Sequence, residues 1–129
     1  MGIWRALTVN RAFTGSDAPD LRLRTREYAV PFAAVWQAAE RIAETTRGWT
    51  VVSRDPKAGE IVAEARTRMW KFVDDVWIRI SLDGDGQTRV DMASASRKGR
   101  GDLGTNARRI ARFLHALDRQ VLGSTRANR

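Results

Sequence analysis

Small hydroxyls, three glycines, an aspartate and an asparagine crowd into one stretch, Ser94-Ala-Ser-Arg-Lys-Gly-Arg-Gly-Asp-Leu-Gly-Thr-Asn-Ala-Arg-Arg-Ile110. It reads as the end of a strand, a glycine-rich turn and the opening of an amphipathic helix. The first N–H groups of a helix lack partners within it, so such a junction offers two chemistries. One is an anion site, with a phosphate or carboxylate held on the amides of residues 101–104 and Arg97, Lys98 and Arg100 nearby. The other is a structural clasp, in which Ser94, Ser96 and Asn106 satisfy buried polar groups and Asp102 caps the helix. Asp102 places negative charge where an anion would sit, which favours the clasp.

Other residues invite chemistry and do not sustain it. Asp74-Asp75 resembles a paired carboxylate, but adjacent strand residues point to opposite faces. Asp75 and Arg79 share the outer face with Trp77 between them, and an exposed ion pair is the reading favoured there. Asp83-Gly-Asp-Gly86 lacks the remaining oxygen ligands of a calcium loop, with Gln87 and Ser94 where they would stand, and is read as a hairpin turn. Arg100-Gly-Asp102 is a chance copy of an integrin-binding tripeptide. The single histidine, His115, falls on a polar helix face, and the absence of cysteine excludes disulfides, thiolate metal sites and cysteine nucleophiles. Trp36, Trp49, Trp70, Phe72 and Trp77 could line an apolar cavity, with core or edge packing as the default. No cofactor, metal site or catalytic residue is expected, and an enzyme is the least favoured class.

The elements that must position these residues follow from length, charge and periodicity. A chain of 129 residues with five Trp and four Phe is sized for one domain with a real core. Residues 1–96 carry 14 basic and 13 acidic side chains, whereas residues 97–129 carry 9 and 2, so almost all of the net +8 lies in the last quarter. That asymmetry suits a polyanionic partner, nucleic acid or anionic lipid, reached through Arg108, Arg112 and Arg119. A solvated basic face is the plainer account, since no aromatic is interleaved for base stacking. No apolar run approaches a membrane span, and no secretory leader is read at the N-terminus. The expected setting is cytoplasmic and soluble, with peripheral membrane association left open.

Residues 1–21 are weakly patterned and are expected to form a loosely ordered extension. Arg22 to Val30 alternates as a strand ending at Pro31, and apolar residues at helical spacing predict a helix over 31–46. Strands follow at 49–54 and from Ile61 to Thr67, then Val76, Ile78, Ile80 and Leu82 alternate inward with Trp77, Arg79 and Ser81 outward. Val90, Met92, Ser94 and Ser96 share one face of the last strand. A helix over 104–122 buries Ala107, Ile110, Phe113, Leu114, Leu117 and Val121 and turns Arg108, Arg112, His115 and Arg119 away. Phase puts Asn106 on the apolar stripe near Ile110, facing Ser94 and Ser96, with Asp74 able to join them from the neighbouring strand. Residues 123–129 read as a basic polar tail. The expectation is one α+β domain over 22–122, an antiparallel sheet of four to five strands with two helices on one face. Its order, β-α-β-β-β-β-α, looks like a reduced helix-grip arrangement.

With Phe72-Val-Asp-Asp-Val, Tyr28-Ala-Val-Pro31, Val35-Trp36, Asp55-Pro56 and the block from Ser94 to Ile110 in view, the chain resembles an uncharacterised family. This is the domain of unknown function 1499, found in bacteria and photosynthetic lineages. The likeness spans about residues 26–122. It implies signature positions at Asp74, Asp75, Arg79, Ser94, Ser96, Arg97, Gly99, Asp102, Gly104, Asn106 and Arg109, and no activity. Ala93 stands where the family often has arginine, and the N-terminal stretch lacks the Pro-Asn-Cys-type segment of relatives. The reading is a non-enzymatic binding or scaffolding domain of a bacterial protein, its partner a protein or small ligand. The alternatives are an apolar-ligand carrier and a polyanion binder; the oligomeric state is left open.

Overall fold

The computed structural model describes residues 11–66, 72–97 and 103–127. Their order is β1 (Arg11–Phe13), a 3-10 turn (Leu21–Leu23), β2 (Arg26–Tyr28), α1 (Phe32–Thr45), β3 (Trp49–Asp55), β4 (Glu60–Arg66), β5 (Val73–Leu82), β6 (Thr88–Ser96) and α2 (Leu103–Ala127). The α+β architecture, an antiparallel sheet with two helices, is as expected, but the sheet has six strands rather than four to five. Four strands run β6-β5-β4-β3, and β1 and β2 both pair with β6 along its outer edge.

That shared edge corrects the expected start of the domain. β1 pairs with Ala93–Ala95 and β2 with Thr88–Val90, so the two are halves of one strand interrupted by the loop of residues 14–25. The neck of the loop is tied by Gly15 N–H to Leu23 C=O (3.1 Å) and Thr25 N–H to Gly15 C=O (3.2 Å). Asp91 receives the hydroxyls of Thr14 (2.7 Å) and Thr25 (2.6 Å) on either side of the break. Burial raises the Asp91 carboxyl, but the hydrogen bonds from Thr25, Thr14 and Arg89 outweigh it and hold the group below its ordinary range. Residues 11–21 therefore belong to the fold, and the strand expected over 22–30 is confined to Arg26–Tyr28. The rest of the expected extension, residues 1–10, lies outside the described residues.

Pro31 stands at the N-cap of α1, where its fixed φ of −57° leads into the helix and its carbonyl accepts from Val35 N–H at 3.2 Å. Both helices lie on the same face of the sheet. Val35, Ala39, Ile42 and Ala43 of α1 and Ile110, Phe113, Leu114, Leu117 and Val121 of α2 meet Ile61, Ala63, Val76, Ile78, Ile80, Val90 and Met92. Each buried branched side chain contributes about 1.5–3 kcal/mol. Trp49 stacks on Phe113 with centroids 5.5 Å apart, joining β3 to α2, and Phe32 stacks on Trp36 at 5.9 Å. These two tryptophans pack the core, as the default had it.

Two expectations about this face need correction. Leu82 continues the inward alternation of β5 but is 62% exposed, because β5 runs past the end of β4 and out from under the helices. Ala107 is only half-buried at the flank of the stripe. α2 also continues past residue 122 to Ala127, since Gly123 keeps helical geometry and nothing breaks the turn there.

The turn at Asp55–Glu60 depends on one glycine. Asp55 Oδ1 accepts from Lys57 and Ala58 N–H, and Gly59, at φ +74°, sends its carbonyl to Ile80 N–H at 2.7 Å. A Cβ on Gly59 would stand 2.0 Å from the Ile80 carbonyl oxygen. Gly59→Ala is expected to lose at least about 1–3 kcal/mol of unfolding free energy in urea, while Gly84→Ala, in open space, leaves the midpoint within experimental scatter of the parent. Equal stabilities for the two variants would show that the close β4–β5 approach is not a constraint.

Candidate functional site

The fold brings five of the signature side chains into one buried seam between sheet and α2. On β5 and β6 the register sets Asp74 against Ser96 and Val76 against Ser94, so Asp74, Ser94 and Ser96 share the face covered by the helices. All three, with Asn106, are at most 2% exposed. Ser94 donates to Asn106 Oδ1 at 2.7 Å, and the Asn106 amide nitrogen donates to Ser96 Oγ at 3.1 Å. One asparagine thus spans two serines on alternate positions of a strand.

Arg109 completes the seam from one turn further along α2. Its Nη1 donates to Asn106 Oδ1 at 2.8 Å and to Ser94 Oγ at 3.2 Å, and lies 2.9 Å from Asp74 Oδ2. The hydrogens of Nη1 are directed at the asparagine and serine, so this contact with Asp74 is one of charge rather than of an aligned hydrogen bond. The Arg109 side chain is 11% exposed and the Asp74 side chain is completely buried. Residue patterning alone placed Asp74, Ser94, Ser96 and Asn106 together; Arg109 entered only through the family resemblance. The missed signal was the charge on Asp74, since a carboxylate buried under a helix calls for a cation on that helix.

The remaining signature residues lie elsewhere. Asp75 and Arg97 are on the outer face of the sheet, where Arg97 holds Asp75 with Nε (3.0 Å) and Nη2 (2.8 Å) and reaches Glu64 at 2.6 Å. The Asp75 and Glu64 hydrogen bonds raise the Arg97 guanidinium further above its already high range. Arg79 meets Glu60 at 3.0 Å, so Asp75 and Arg79 each have a cross-strand partner of their own. Gly104 is in the first turn of α2. Gly99 and Asp102, the expected helix cap, lie outside the described residues, as do Trp70 and, of the expected anion cradle at the amides of 101–104, residues 101 and 102 with Lys98 and Arg100 beside them. Arg108, Arg112 and Arg119 are exposed on α2. Asp118 turns the other way, accepting from Tyr28 Oη at 2.5 Å and Arg26 Nε at 3.2 Å. Burial, then Asp118, pushes the Tyr28 hydroxyl far above the usual phenol range, so it remains a donor.

The outer face has its own order. Registers align Phe13, Ala93, Trp77 and Val62 in one row across four strands. Trp77 packs on Ala93 and Ala95, while Phe13 stays 50% exposed with the Arg11 guanidinium 5.8 Å from its ring centre. Ion pairs flank the row, Arg97 with Asp75 and Glu64 on one side, Arg79 with Glu60 and Arg89 with Asp91 on the other. Among the described residues no group of three or more acids or histidines could hold a metal, and no helix is long and apolar enough to cross a membrane.

Residues 6–117 match the family model described as protein of unknown function (DUF1499), and the chain belongs to that family. No match was found among curated proteins. Similar solved structures include the following two. Protein Ms6760 from Mycobacterium smegmatis is 14% identical, with TM-score 0.39 over 81% of this chain and 90% of that one. TTHA0849 from Thermus thermophilus is 12% identical, with TM-score 0.41 over 88% of this chain and 98% of that one.

The seam generates two stability predictions. Asn106→Ala leaves the two serines and Arg109 without their shared partner and is expected to lose about 1–3 kcal/mol in urea unfolding. An unchanged midpoint would remove the clasp as the role of this residue. Arg109→Met, which strands a buried carboxylate, is expected to lose about 3–5 kcal/mol, and adding Asp74→Leu is expected to restore most of it. A double variant no more stable than Arg109→Met alone would show that the two charges are not coupled.

Proposed function

We propose that this member of the DUF1499 family is a non-enzymatic binding domain that engages a protein partner through the outer face of its sheet. The observation that carries the reading is the Phe13–Ala93–Trp77–Val62 row, an apolar band lying between paired charges of both signs. Protein interfaces have that anatomy, with an aromatic centre and a polar rim whose ion pairs exchange partners on docking. The partner it fits carries an apolar side chain to cover Trp77 and charges of both signs around it. The rim is locally balanced, which makes it a poor match for a uniformly charged polymer.

The interior supports the same reading. Ser94, Asn106 and Arg109 bond to one another, and the buried Asp74 Oδ2, which receives no hydrogen bond, is met by the Arg109 charge; a network whose members are spent on one another suits holding α2 in register rather than turning over a substrate. The aromatic pairs Trp49–Phe113 and Phe32–Trp36 fill space between sheet and helices, which favours protein binding over carriage of an apolar ligand.

The test begins with proteins captured from a cognate extract by the immobilised chain, followed by titration of the purified partner. Trp77→Ala is expected to weaken its affinity by about 30-fold or more, as for an aromatic at the centre of an interface. Arg79→Ala, at the rim, has a smaller effect. A partner that binds the Trp77→Ala, Arg79→Ala double variant as tightly as the parent would overturn the assignment of this face.

A further inference from the structure

The solvent face of α2 carries a line of positive charge. At 100° per residue, Arg108, Arg112, His115, Arg119 and Leu122 fall within an arc of about 80°. All five are exposed, Leu122 by 49%. From Arg108 to Arg119 the stripe runs about 16 Å along the helix axis. The only acid of α2, Asp118, is turned aside and held by Tyr28 and Arg26. Arg109, the other nearby cation, is drawn inward to Asp74. Arg112 and Arg119 have no carboxylate partner among the described residues. On the sheet's outer face Glu60, Asp91, Asp75 and Glu64 are already committed to Arg79, Arg89 and Arg97, and Glu40 and Glu44 of α1 to Arg54. Three of the nine basic residues in the last quarter of the sequence therefore lie exposed along one straight line.

We propose that this face of α2 docks the protein on an anionic phospholipid bilayer, the arginines contacting headgroup phosphates and Leu122 entering the interface beside them. Charge complementarity supplies the class of partner, and the residues of the stripe select the bilayer from among polyanions. Guanidinium forks match phosphate oxygens in pairs, and their alkyl stems lie comfortably at the depth of the headgroups. An exposed leucine on the line of cations gains from an apolar boundary and gains nothing from a nucleic-acid backbone. The aromatic of this part of the helix, Phe113, is buried at 3% exposure, so no ring on the stripe is free to stack on a base. The opposite side of α2 is fully engaged with the core, so the helix docks in place without unfolding. This surface is separate from the outer face of the sheet, and either can fail without the other.

The test is co-sedimentation of the full chain with vesicles of phosphatidylcholine alone or with about a third phosphatidylglycerol, at low and high salt. Binding is expected to the anionic vesicles only and to fall steeply toward 1 M salt, where the screening length shrinks to about 3 Å. Each arginine near an anionic surface is worth about fivefold in partitioning. Arg112→Ala with Arg119→Ala is then expected to cost about 25-fold, and Leu122→Ala less. Arg112→Lys with Arg119→Lys, which keeps the charge, is expected to retain most of the binding. The exposed positions leave the urea midpoint and helical content unchanged, which separates lost docking from lost fold. The Trp77→Ala, Arg79→Ala variant is expected to bind vesicles like the parent. Equal binding to neutral vesicles, an unaffected Arg112→Ala, Arg119→Ala variant, or tighter binding to duplex DNA than to anionic vesicles at the same salt would each overturn the proposal.

Discussion

A carboxylate with no exposure to water calls for a cation held beside it, and Asp74 is in that position on β5, the middle strand of the sheet. The demand reaches across to α2, where Arg109 answers it and Asn106, one turn earlier, is bonded to the same guanidinium and to both serines of β6. A slip of α2 by a single turn would leave Asp74 without its ion pair and two serines without their amide. Nine residues further on, Asp118 makes a second polar pin with Tyr28 and Arg26. Between the pins run Ile110, Phe113, Leu114 and Leu117, which supply attraction without direction. Apolar burial holds the helix down, and the polar pins choose where it lies.

Much of this was legible because phase is a strong constraint. Ser94 and Ser96 share parity with Val90 and Met92, and Asn106 shares a helical stripe with Ile110, so three polar residues had to face the same interior. Arg109 was not legible in that way. It sits at the flank of the stripe, where an arginine reads as solvated, and only its long stem brings the guanidinium inward. Across the sheet, Asp75 and Arg79 read as a pair within one strand, whereas the fold gives each a partner on a neighbouring strand, Arg97 and Glu60. Register between strands decides such contacts, and periodicity within one strand carries no register.

The first strand was hidden for a different reason. β1 and β2 have three residues each, too few for alternation to emerge from the composition around them. What joins them is Asp91, a residue of β6 far along the chain, receiving one hydroxyl from each side of the break. Turn-rich chemistry between two short strands reads as an unattached extension unless the acceptor that closes the loop is already known.

With the interior polar groups spent on register, the exposed surface divides by charge. On the outer face of the sheet Arg79, Arg89 and Arg97 each have a carboxylate neighbour, so that face is close to neutral and its distinguishing feature is the Trp77 row. On α2 the one carboxylate is consumed by a pin, and the exposed stripe is left with a surplus of positive charge. The helices cover the inner face of the sheet, so α2's exposed side and the outer face of the sheet point to opposite sides of the molecule. Under the two proposed roles, contact between α2 and an anionic surface would leave the Trp77 row turned away from that surface and open to a partner. The Asp74–Arg109 pair enters that arrangement directly, since by fixing the position of α2 it also fixes which arginines remain outside.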